Sequence, residues 1–205
     1  MDRARGSEDG KKGVERRKGA SERSRGGRLP RAWSGVVALA LAPCSVFAAQ
    51  VLSIEGVGLA TSNYAVQLSE GDNLEPGRIV RTNSFATCTL GWEGSPDKVV
   101  IEPSSNAELV AEKPIRFQLE AGRIRFTGKD IEVSTAQATA TSKAAGNYAI
   151  TLKEGKEFVE VREGEAAVAV GSKKESYSVR GGEELVIGAD GSANKKPLLT
   201  ENPAK

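Results

Sequence analysis

Ile115-Arg116-Phe117-Gln118-Leu119-Glu120-Ala121-Gly122-Arg123-Ile124-Arg125-Phe126 decides the fold class. Its apolar residues alternate with polar ones at period two, the repeat of a strand with one face buried and the other in water. Ile115, Phe117 and Leu119 share a face, while Arg116 and Gln118 point the other way. Glu120-Ala121-Gly122 supplies a turn, after which Ile124 and Phe126 return on the buried side with Arg123 and Arg125 left to water. The reading is a half-buried hairpin.

The same grammar extends along the chain. Phe158-Val159-Glu160-Val161 runs through Arg162-Glu163-Gly164-Glu165 and returns as Ala166-Ala167-Val168-Ala169-Val170. Glu183-Glu184-Leu185-Val186-Ile187 stops at Gly188, before the turn pair Asp190-Gly191. Further breaks fall at Glu55-Gly56, Glu70-Gly71-Asp72, Pro76-Gly77, Glu93-Gly94, Glu154-Gly155 and Gly181-Gly182. Short β-rich runs with frequent turn signals predict an all-β domain: a sandwich, a barrel or a strand solenoid of short antiparallel strands joined by Gly-rich turns. Asn106-Ala107-Glu108-Leu109-Val110-Ala111-Glu112 contains helix formers, but Pro103 and Pro114 bracket it closely, so it reads as strand or irregular. The domain is expected over residues 49–190, and residues 191–205, polar with Pro197 and Pro203, are expected to form a flexible tail.

The front of the chain belongs to a different regime. Residues 1–48 carry 11 Lys/Arg against 5 Asp/Glu, and the remainder 18 against 22. A basic segment thus precedes a mildly acidic body, and the whole-chain charge of +2 describes neither. Residues 1–31, rich in Arg, Lys, Gly and Ser, have too few apolar side chains to bury and are expected to be disordered. Charge then stops at Ala32, and Val36-Val37-Ala38-Leu39-Ala40-Leu41-Ala42 forms an apolar run that Pro43 breaks. Val46-Phe47-Ala48 sets compact residues three and one before a scissile bond. This order defines a secretory signal over residues 32–48, with cleavage between Ala48 and Ala49.

Two other readings of the segment remain open. Ala32 to Ile54 is uncharged and long enough for an uncleaved anchor, although Ser34, Pro43, Ser45, Gln50 and Ser53 dilute it. Leu41-Ala42-Pro43-Cys44 also has a loose lipoprotein-box shape, with Pro in an unusual place before the Cys.

The body offers little material for catalysis. The chain has no His, which removes the commonest general base and metal ligand. After cleavage Cys88 is the remaining thiol, and in Ala86-Thr87-Cys88-Thr89-Leu90 the alternation places it with Ala86 and Leu90 on an apolar face. Several Glu residues, among them Glu55, Glu70, Glu93, Glu154 and Glu163, stand beside Gly in turns, where solvation is their ordinary role. Asp190-Gly191-Ser192 lacks the alternating acidic ligands of a calcium loop. No glycine pattern lies between a strand and a helix to cradle phosphate. No cofactor, metal site or catalytic residue is therefore expected, and an acidic body gives no basis for nucleic-acid binding.

In order, these runs resemble the FecR domain, a periplasmic module. The landmarks are Gly56 after the first strand, Leu68-Ser69-Glu70-Gly71-Asp72, and Pro76-Gly77-Arg78-Ile79-Val80-Arg81-Thr82. Ala86 to Leu90, Val100-Ile101-Glu102-Pro103-Ser104-Ser105 and Leu119-Glu120-Ala121-Gly122-Arg123-Ile124 follow. Ile131 to Thr135, Val161 to Ala166 and Val179-Arg180-Gly181-Gly182-Glu183 complete the series. The resemblance covers about Val51 to Ile187 and implies a FecR-like sandwich or strand solenoid in the periplasm or cell envelope. Where the family often has an Arg-Gly-Thr-x-Phe step, this chain reads Ser142-Lys143-Ala144-Ala145-Gly146-Asn147-Tyr148-Ala149-Ile150, so that turn is expected to differ.

Signalling members of the family carry a cytoplasmic anti-sigma region before their membrane span. The head here is too poor in apolar residues to form one, and the resemblance is confined to the periplasmic module. It implies a non-catalytic binding or scaffolding role toward an envelope or periplasmic protein or a glycan, with strand edges as the natural contact surface. The alternatives are a sensor retained on an uncleaved anchor, and a β-fold carbohydrate-active enzyme using two of the carboxylates.

Overall fold

A computed structural model describes residues 48–61, 64–171 and 175–199. The expected basic head and the expected signal segment up to Phe47 lie outside the described residues. Among the described residues the chain forms seventeen strands and no helix. The first nine are β1 (Ala49–Glu55), β2 (Gly58–Thr61), β3 (Ala65–Gln67), β4 (Asn73–Leu74), β5 (Arg78–Thr82), β6 (Thr87–Trp92), β7 (Lys98–Ile101), β8 (Asn106–Glu112) and β9 (Ile115–Thr127). There follow β10 (Glu132–Ser134), β11 (Ala138–Ser142), β12 (Asn147–Lys153), β13 (Lys156–Glu163), β14 (Glu165–Val170), β15 (Glu175–Arg180), β16 (Glu183–Ile187) and β17 (Ala193–Pro197). The expected all-β class is the observed one, and Asn106–Glu112 is a strand.

Hydrogen bonding arranges these strands in two layers. The first runs β4-β1-β6-β7-β9-β12-β13-β16-β17. The second runs β3-β2-β5-β8-β9-β10-β11-β14-β15. All described pairings are antiparallel except β10 on β9. From β6 onward hairpins are laid down in one layer or the other: β6–β7 and β12–β13 in the first, β10–β11 and β14–β15 in the second, β16–β17 again in the first.

The opening stretch corrects the hairpin reading. Residues 115–127 form one bent strand that serves both layers. Ile115 to Ala121 pairs with β8 in the second layer, whereas Gly122 to Thr127 pairs with β12, and its end also with β7, in the first. Gly122 makes the corner at φ 82°, and the buried parity shifts there from Ile115, Phe117 and Leu119 to Ile124 and Phe126. A side chain at Gly122 would run into Ser105 Oγ, and its Cβ would sit 2.6 Å from the Ser104 carbonyl oxygen.

A second corner has the same logic. The stretch from Phe158 to Val170 is not a hairpin: β13 pairs with β12 and β16, and β14 with β11 and β15. Gly164, at φ 92°, carries the chain between layers. Tyr148 closes that corner, its hydroxyl donating to the Ala144 carbonyl at 2.6 Å and accepting the Glu165 N–H at 3.3 Å. Residues 191–205 also differ from expectation over their described part. Asn194 to Pro197 pair with Val186 to Glu183, because Asp190-Gly191 closes a hairpin and lets β17 add to the edge.

One apolar cluster lies between the layers. Leu90, Ile101 and Ile124 of the first and Leu109, Val133, Val168 and Val179 of the second are 0% exposed. Burying each such side chain is worth about 1.5–3 kcal/mol against an exposed state. Trp92 meets Phe117 edge-on at 6.5 Å across the layers, and Phe126 stacks on Tyr148 at 5.1 Å. The buried Thr82 hydroxyl is satisfied by backbone groups: its Oγ1 donates to the Glu102 carbonyl at 2.6 Å and accepts the Ser105 N–H at 3.0 Å.

Candidate binding surface

The outward face of the first layer carries a charged row beside a cavity in which cations outnumber carboxylates. Strand register sets Val100, Arg125, Ala149, Glu160, Glu184 and Lys196 in one row across β7, β9, β12, β13, β16 and β17. Ala149 is the small member of that row. Around it opens a depression of about 410 Å³ lined by Lys98, Arg125 and Arg162, with Thr127 and Asn147 beside them. A neighbouring depression of about 740 Å³ shares Arg162 and is lined by Arg123, Glu160 and Glu184.

Much of the charge is already matched. Glu102 bridges Arg123 and Arg125, Arg123 Nη2 lies 3.0 Å from Glu160, and Lys196 lies 2.9 Å from Glu184. Lys98 and Arg162 have no ion-pair partner among the described residues. Glu163 is the carboxylate at the first depression, where it accepts the Asn147 side-chain amide at 2.7 Å. A local excess of cations therefore stands on a domain whose body is acidic overall. An exposed cationic depression attracts acidic groups most strongly at low salt, because screening acts within about 8–10 Å at ordinary ionic strength.

Among the described residues, four strands lie at the layer ends without a second partner strand. They are β4 and β17 in the first layer and β3 and β15 in the second. Lys195 and Lys196 charge the β17 edge, a common protection against indiscriminate strand addition. β3 is exposed along its length, with Val66 43% accessible.

The expected cleavage residues sit at the start of the fold. Ala48 is half-buried just ahead of β1, and Ala49, the first residue of that strand, is fully buried. The Ala49 N–H donates to Glu112 Oε1 at 2.9 Å, from one layer to the end of a strand in the other.

The thiol and one carboxylate are buried. Cys88 is fully buried with Ala86 and Leu90, as the alternation predicts, and burial pushes its thiol up to about 12. Glu157 is a buried acid that the sequence reading did not single out. Its signal was available, since Val159 and Val161 fix the inward parity of β13 and Glu157 shares it. Its carboxylate accepts the Thr135 hydroxyl at 2.5 Å and the Gln137 N–H at 3.1 Å, both from the β10–β11 turn. The Lys98, Arg125 and Arg162 grouping had no comparable signal, because three separate strands bring it together.

No family model matches this chain, and no curated protein matches it. Two crystal structures from Parabacteroides distasonis ATCC 8503, both provisionally described as an anti-sigma factor, are similar to it. One, at 2.50 Å resolution, is 16% identical with a TM-score of 0.46; the other, at 1.65 Å, is 15% identical with a TM-score of 0.47. Each match covers 58% of this chain and 59% of the solved one, so the chain spans about three fifths of the length of those proteins.

Proposed function

We propose that this chain is an exported, non-catalytic FecR-like binding or scaffolding module of the periplasm or cell envelope, which presents the Lys98–Arg125–Arg162 depression to an acidic partner. The secretory pattern ending at Ala48 and the ordered landmarks from Val51 to Ile187 support the location and the family. The observation that carries the binding role is the convergence of three cations, two without an ion-pair partner among the described residues, on a small-residue floor at Ala149. The partner is an envelope or periplasmic protein with an acidic surface, or an acidic glycan. Either would form charge-assisted hydrogen bonds with Arg125 and Arg162.

The absence of His and the pairing of Glu102, Glu160 and Glu184 with cations support a role without catalysis. Affinity capture from envelope extract tests the reading, with wild-type protein compared against a Lys98→Glu/Arg162→Glu variant. The expected outcome is a partner retained by the wild type and lost from the variant, with tighter retention at low salt. Identical retention by both proteins would defeat the assigned surface.

A further inference from the structure

We infer that cleavage between Ala48 and Ala49 completes the fold: the new α-ammonium of Ala49 is received by the Glu112 carboxylate as an ion pair tying β1 to β8. This rests on the export reading above. The step is a hydrolysis, catalysed by an envelope signal peptidase and using water. The bond between the Ala48 carbonyl carbon and the Ala49 nitrogen breaks, hydroxide goes to the Ala48 carbonyl and a proton to the Ala49 nitrogen; the new carboxylic acid then gives up its proton, leaving Ala48 a carboxylate, and the Ala49 amine takes one up to become the ammonium. No electron changes hands.

Three observations place the product. The Ala49 nitrogen already lies 2.9 Å from Glu112 Oε1, so the acceptor stands where the ammonium forms. Ala49 is paired with both Leu74 and Trp92 and is fully buried, so β1 holds its nitrogen from the C-terminal side and losing Ala48 leaves it in place. Ala48 lines a surface depression beside Gln50 and Trp92, and its departure lets water reach the other N–H groups of the ammonium.

The consequence is a difference between precursor and product. Before cleavage Glu112 accepts a hydrogen bond from a neutral amide; afterwards it faces a full positive charge at the same distance. A partly shielded ion pair strengthens the folded state and raises the pKa of the amine. Glu93, Asp97, Lys113, Lys129 and Asp130 line the same cavity as Glu112 and set the background field. The precursor is therefore the less stable form, which suits a chain that crosses a membrane before it folds.

The first measurement is N-terminal sequencing of the chain recovered from the envelope. A start at Ala49 supports the processing site, and any other start overturns it. Independently, the chain is made from Ala49 onward, with an initiating Met removed by aminopeptidase, and again with Gly-Ser-Ala48 ahead of Ala49. The residues from Ala49 to Ile187 share one core, so both forms carry the complete cluster. Glu112→Gln is placed in each.

The substitution is expected to raise the unfolding equilibrium constant about fivefold more in the chain that starts at Ala49, the upper range for a partly exposed pair. Nα-acetylation of that chain should abolish the difference without changing its length. Equal effects of Glu112→Gln in all forms would overturn the ion pair even where sequencing finds Ala49 first, which keeps the two failures apart.

Discussion

Glu157 is a carboxylate facing the core, and its chemistry is set by what surrounds it. Burial raises its pKa above the ordinary 4.5, and the hydrogen bonds from Thr135 and the Gln137 amide pull only partly the other way. A raised value means that the folded state holds the proton more tightly than the unfolded chain. The contribution to stability is then fully present below pH 4.5 and is lost as pH rises through the folded-state value. Urea midpoints measured across this range should fall in the wild type, and Glu157→Gln should remove that part of the slope. Glu157→Ala has a different expected result, a loss of about 1–3 kcal/mol on the acidic side of this range, because the Thr135 hydroxyl and the Gln137 N–H lose their acceptor. The sequence carried this site in the parity of Val159 and Val161. What it did not carry was the partner turn, which approaches from the opposite layer.

Among the strands, β9 shows how the fold turns its corners. Gly122 lies at φ 82°, a region costly for a residue with a Cβ, and the space a side chain would need is taken by Ser105 Oγ and the Ser104 carbonyl. Ser105 Oγ in turn accepts the Arg123 N–H at 2.9 Å, so displacing it disturbs the next residue of the same strand. Gly122→Ala is expected to cost about 2 kcal/mol or more, from the left-handed backbone and the collision together. The free energy of unfolding in urea measures it; a change below about 0.5 kcal/mol, the size of an ordinary surface substitution, would contradict the corner. The same residues explain why the hairpin reading failed. Gly after a short alternating run marks a change of direction, but a hairpin and a crossing between layers leave the same local trace. The type of break is visible where both turn residues adopt positive φ, as at Glu154 and Gly155, which join β12 and β13 in a true hairpin.

For the domain as a single body, the sharing of β9 has a thermodynamic consequence. A strand bonded into both layers, with one core cluster between them, leaves no surface along which the layers separate without breaking the core. Trp92, on the first layer and in contact with Phe117 of the second, is the sole tryptophan after Ala49. Its emission and the backbone circular dichroism of the chain starting at Ala49 should change at one common denaturant concentration; separated midpoints would mean that the layers unfold independently. The alternation of side chains was enough to define an all-β class and the buried face at Cys88, because those depend on the local question of which side of a ribbon meets water. The proposed break at Ala48–Ala49 likewise rests on local composition. The pairing of β9 with two layers, the strand at residues 193–197, the inward contact of Glu157 and the meeting of Lys98, Arg125 and Arg162 were settled by tertiary packing. Period-two runs of similar composition can pair in many ways, and only the joint burial of the whole set selects one arrangement.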